Sequence, residues 1–76
     1  MIGTITILMD ANKRAPEINE ILHKNAEFIL GRMGLPQTEN HGYILSVVFK
    51  GEEEIFEELL KDLKEIDNLK IAYSKI

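Results

Sequence analysis

The chain contains no cysteine, and only two prolines, five glycines and two histidines stand among its 76 residues. Without cysteine there are no disulfides, thiolate metal sites or thiol nucleophiles. Basic residues are outnumbered nine to thirteen, for a net charge of −4. They are scattered, with Lys13-Arg14 the only adjacent pair. That balance argues against a surface built to neutralise nucleic-acid phosphates. A long hydrophobic run is also missing. The first nine residues are apolar, but they lack a basic leader, are too short to span a bilayer and run into Asp10. No Ser/His/Asp order, Walker glycine pattern or HExxH helix occurs. These absences lead to the expectation of a cytoplasmic protein that is not an enzyme, carries no cofactor and contacts neither membrane nor nucleic acid by itself.

What is present is a soluble-domain composition, 45% hydrophobic and 29% charged, with no linker or low-complexity segment. A single domain over residues 1–76 is expected. A chain this short buries only about 60% of its unfolded surface, so association with further subunits is the expected supplement to its core. Ile5, Ile7 and Met9 alternate with Thr4, Thr6 and Leu8, which predicts a first strand over Ile2–Met9. After a polar connection over 10–15, Pro16 suits the first turn of a helix and Glu17 complements its positive end. Ile18, Ile21, Leu22 and Ala26 then recur at helical spacing, predicting a helix over Pro16–Glu27.

Periodicity switches to two at Phe28, predicting a strand over Phe28–Leu35 that Pro36 stops. Uninterrupted alternation sends Ile29, Met33 and Leu35 to one face and Leu30, Arg32 and Gly34 to the other. A polar turn over 37–42 precedes the clearest strand, Tyr43–Lys50. Glu52, Glu53 and Glu54 open a second helix over Glu52–Glu65, whose stripe is Ile55, Phe56, Leu59, Leu60 and Leu63. Asp67-Asn68 makes a turn into a last strand, Leu69–Ser74. The order β-α-β-β-α-β predicts a ferredoxin-like α/β sandwich: a four-stranded antiparallel sheet, both helices on one face, first and third strands central.

The stretch "FILGRMGLP" is the least ordinary. Gly31 and Gly34 are too few for a phosphate-cradling loop, and no helix N-terminus follows them. They suit an edge strand that bulges or lets another backbone approach closely. Arg32 between them is expected on the sheet face opposite the helices. Thr4, Thr6, Leu8, Ile44, Ser46, Val48 and Ala72 share that face, a set too apolar to be left to water.

The spans "EILHKNAEFILGRMGLP" and "SVVFKG" resemble the iron-only hydrogenase system regulator family, a small ACT-like family, and the similarity covers nearly the whole chain. The resemblance implies a ferredoxin-like fold and self-association. More distantly, the segment is similar to the ligand-binding domain of the nickel-responsive repressor. The repressor's helix histidine falls on His23, but its strand histidines fall on Gly34 and Pro36, and its cysteine falls near Gly42. With three of four ligands missing, the architecture carries over and the nickel does not. Amino-acid-binding ACT domains have a glycine turn after the first strand, and "DANKRAPE" contains none.

A metal site needs three or four convergent ligands; His23 and His41 are read as solvated, and no metal is expected. The acids Glu52, Glu53 and Glu54 point in different directions around their helix and are accounted for by its dipole. The candidate ligand site is Arg32, Gly31, Gly34, Ser46 and Thr6, holding a small anion between subunits. The candidate self-association surface, in a dimer or tetramer, is Thr4, Leu8, Leu30, Ile44 and Val48. Arg32 is open to two readings: an anion contact, or an ion pair with another subunit. Four functions compete: a ligand-sensing regulatory domain, an assembly adaptor for a protein partner, a DNA-binding regulator, and a metal sensor using His23.

Overall fold

The computed structural model describes residues 1–9, 14–37 and 42–76. Most of the polar connection expected over 10–15, the middle of the turn over 37–42, and His41 lie outside the described residues. The elements run β1 (Ile2–Met9), α1 (Ala15–Lys24), a 3-10 turn (Ala26–Phe28), β2 (Ile29–Gln37), β3 (Gly42–Lys50), α2 (Glu53–Lys64) and β4 (Leu69–Lys75). They form the ferredoxin-like, ACT-like βαββαβ arrangement. Its antiparallel sheet has the order β2-β3-β1-β4, so β3 and β1 are central and β2 and β4 are edges.

Alternation decides what is inside. Ile5, Ile7 and Met9 of β1 join Leu45, Val47 and Phe49 of β3 under Ile18 and Leu22 of α1 and Phe56, Leu59, Leu60 and Leu63 of α2. All of these are buried. Burying each large side chain contributes about 1.5–3 kcal/mol, which holds both helices to one face. An aromatic row crosses this core, with Phe28, Phe49, Phe56 and Tyr73 spaced at 5.9, 5.2 and 6.2 Å. No buried side-chain polar atom among the described residues lacks a partner.

Helix α1 ends earlier than its apolar spacing predicts. The Asn25 backbone N–H bonds the Leu22 carbonyl at 3.1 Å, and its side-chain Nδ2 donates to the Ile21 carbonyl at 2.9 Å. Asn25 thereby closes the helix, and Ala26–Phe28 tighten into the 3-10 turn that delivers the chain to β2. At the other crossover Asn68 has φ 66°, a left-handed conformation that asparagine tolerates better than most residues. No helix among the described residues is long and apolar enough to cross a membrane.

Candidate functional site

The decisive local feature is a bulge at the start of β2. Ile29 lies opposite Phe49 and Gly31 opposite Val48, so Leu30 is an extra residue without a partner on β3. One inserted residue exchanges the faces of everything after it. Arg32 therefore lies opposite Val47 and Gly34 opposite Leu45, on the helix side, while Met33 opposes Ser46 and Leu35 opposes Ile44 on the open side. The expectation that Arg32 projects from the face away from the helices is thus corrected. Regular alternation carried across Leu30 inverts the assignment.

On the helix side Arg32 meets α1. Its Nη2 donates to Asn19 Oδ1 at 2.7 Å. Asn19 is neutral, so the bond uses one guanidinium donor and brings no opposing charge. Among the described residues the ion pairs are Arg14 with Glu17, and Lys75 with Glu53 and Glu57. Arg32 takes part in none of them.

The Arg32–Asn19 bridge separates two depressions. The larger, about 700 Å³, runs between α1 and β2. Leu22, Ala26 and Ile29 make its apolar floor, and Asn19, Glu20, His23 and Arg32 its polar rim. The smaller, about 190 Å³, lies against Met9, Ile18, Tyr43 and Leu45. Asn19 and His23 are four residues apart, hence neighbours on one helix face. The sequence pattern marks this pair as polar, but only the bulge reveals that Arg32 joins it.

The other candidates separate. Thr6 and Ser46 face each other across β1 and β3 on the open side of the sheet and do not converge with Arg32. Thr4, Leu8, Ile44 and Val48 lie on that open side as expected. Leu30, in the bulge, is 64% exposed. The two glycines also differ. At Gly34 a Cβ would fall on the Tyr43 hydroxyl and ring, so packing within the chain requires glycine there. At Gly31 a Cβ would meet nothing within 4 Å, and its φ is not positive. Nothing in the fold itself calls for glycine at Gly31.

His23 is exposed on the groove rim. Among the described residues no three His, Cys, Asp or Glu side chains come together in a geometry that could hold a metal.

Residues 1–72 match the TM1266-like family, described as "Iron-only hydrogenase system regulator, putative". This chain belongs to that family. The uncharacterized protein TM1266 from Thermotoga maritima is 28% identical, over 96% of this chain and 92% of that one, with a TM-score of 0.88. A formyltetrahydrofolate deformylase from Burkholderia mallei is 9% identical, with a TM-score of 0.78. That match takes in 99% of this chain and 28% of the deformylase, and it shows the fold alone. A "putative PII-like signaling protein" from Thermus thermophilus also shares the fold, at 14% identity and a TM-score of 0.70, over 99% of this chain and 85% of that one. No curated protein sequence matches the chain.

Proposed function

We propose that this member of the hydrogenase-regulator family is a self-associating regulatory module without catalytic activity, which responds to an anionic group held by Arg32 in the α1/β2 groove. One observation carries the reading. Among the described residues Arg32 is held in the groove by a neutral amide rather than a carboxylate, which leaves its charge available to an anion. The family's description supports a role in regulating an iron-only hydrogenase system. With a net charge of −4, any effect on transcription runs through another protein rather than through direct contact with DNA. Self-association uses the open sheet face, which leaves the groove accessible on the opposite side.

Thermal shift of the 76-residue protein against phosphate and a series of mono- and dicarboxylates tests this. An anion at about five times its Kd stabilises by about 1 kcal/mol, raising Tm by about 4–8 °C in a domain of this size. The shift disappears in Arg32→Ala while the subunit count stays the same. A flat response to every anion, or an equal response in Arg32→Ala, sinks the reading.

A further inference from the structure

Strand β2 is an edge of the sheet, paired only with β3, so its outer backbone groups have no partner among the described residues. It is also where apolar surface collects. Of the six large hydrophobic side chains that stand exposed among the described residues, Leu30, Met33 and Leu35 belong to it. The opposite edge is guarded differently: β4 carries Lys70 and Lys75, the kind of charge that discourages strand addition. In β2 the one charged residue is Arg32.

We infer that β2 pairs antiparallel with β2 of a second copy across a two-fold axis at Met33, joining two four-stranded sheets edge to edge. The strand's own residue order selects this occupant and this register. Residues opposite each other in one sheet share a face, so the axis passes through a residue and not between two. An axis at Arg32 sets two guanidinium groups directly opposite, which is unfavourable. At Gly31 or Gly34 it sets glycine against glycine, a pair with no side chains to pack. At Leu35 it draws Pro36 into the ladder, where a missing N–H costs a bond. At Met33, Leu35 faces the second copy's Gly31, Arg32 faces its Gly34, and Met33 faces itself. Pro36 then falls opposite the second copy's Leu30, the residue that the bulge leaves unpaired. The two interruptions in β2 meet each other at both ends of the contact and leave residues 31–35 uninterrupted. That match is built into a second copy and into no unrelated strand.

Both glycines gain a use, each on its own side of the sheet. Gly31 lies on the open side opposite Val48, and a Cβ there would meet nothing within 4 Å. Leu35 of the second copy, 48% exposed in a single chain, covers that space and reaches Val48. Gly34 lies on the helix side with the Tyr43 hydroxyl over it. Arg32 of one copy therefore meets a neutral hydroxyl carried by the other. The groove between α1 and β2, whose rim is exposed, then lies between the α1 helices of two copies. The pairing does not depend on reading Arg32 as an anion contact; it adds a second copy to the walls of the same site. Val48 belongs to this contact and to the open face, so the edge joins open-face pairs into a tetramer.

The test places single cysteines in the whole chain, which has none of its own. Directly opposite residues in an antiparallel pair have Cα atoms about 4.5–5.5 Å apart, within the span of a disulfide. Gly31→Cys and Leu35→Cys proteins are refolded together and oxidised with copper–phenanthroline at micromolar concentration. They join as a mixed dimer, identified by mass spectrometry. Either protein alone does not, because its own two cysteines sit about 14 Å apart along the paired strands. Met33→Cys cross-links to itself. Circular dichroism of the reduced proteins checks that each is folded, and light scattering of the native protein counts four subunits. Cross-linking of Gly31→Cys to itself as fast as to Leu35→Cys overturns the register. A native protein that associates while none of these cysteines cross-links leaves the open face as its contact and overturns the edge pairing. A native monomer does the same. An anion response that is lost in Arg32→Ala, without any cross-link, leaves the regulatory reading standing and sinks this one; cross-links without an anion response do the reverse.

Discussion

At Gly34 the volume a side chain would need is already occupied by the ring and hydroxyl of Tyr43, which reaches over β2 from β3. Gly34→Ala forces that ring to move, and overpacking of this kind costs about 1–3 kcal/mol. Gly31→Ala meets open space and replaces a poor strand former, so it leaves stability unchanged or raises it slightly. Urea unfolding of the two variants reads this difference. Combining Gly34→Ala with Tyr43→Ala costs less than the sum of the two, because each removes the reason the other is harmful. Equal effects at Gly31 and Gly34, or strict additivity with Tyr43, would show that Tyr43 does not dictate glycine there. Two glycines that look alike in "LGRMGLP" thus have different causes.

Among the elements, β4 is fastened to α2 by its last charged residue. Lys75 Nζ donates to Glu57 and lies 3.6 Å from Glu53. The hydrogen bond to Glu57, with the nearby charges of both carboxylates, raises the Lys75 pKa above 10.5 despite some loss of hydration. A raised pKa in the folded state means that this stabilisation is fully present below 10.5 and fades as pH climbs through the folded value. The group is exposed, so the effect is small and weakened by salt. Between about pH 10 and 12 the melting temperature should fall more steeply in the native protein than in Lys75→Met; parallel curves would remove the clamp from the account. Elements of this kind were legible from periodicity and charge: β1 spans its predicted Ile2–Met9, and β3 and α2 start and end within one residue of expectation. The polar site was not. A bulge leaves no mark in "FILGRMGLP" beyond a glycine, because its signature is a pairing offset with β3 that local alternation does not contain. Carrying the alternation through Leu30 places Arg32 with Thr6 and Ser46 instead of beside Asn19 and His23.

For the whole molecule, the two sides of the sheet are unequal. The open side forms three rows across the strands: Gly31, Val48, Thr4 and Ser74; Met33, Ser46, Thr6 and Ala72; Leu35, Ile44, Leu8 and Lys70. Lys70, at a corner, is the one charged residue in these rows, and Lys50 stands at the end of the same face opposite Ile2, although charged residues make up 29% of the chain. Met33 is 58% exposed and Leu35 48%. Four strands about 4.8 Å apart and eight residues long cover a patch of roughly 19 by 26 Å. With side-chain relief, that approaches the roughly 800 Å² per partner of a stable interface. A second copy, presenting the same nearly uncharged rows, is the occupant that the proposed self-association assigns to this face. Val48 sits in β3 near the middle of the sheet and is only partly covered within one chain, so Val48→Asp is compatible with the fold. Across a two-fold contact it buries two unpaired carboxylates. At about 3 kcal/mol or more, that raises the dissociation constant about a hundredfold or beyond. Light scattering at micromolar concentration should find the native protein associated and Val48→Asp a folded monomer, with Arg32→Ala associated because its groove lies on the other side. A monomeric native protein would return the open face to solvent and leave the small core without its proposed supplement.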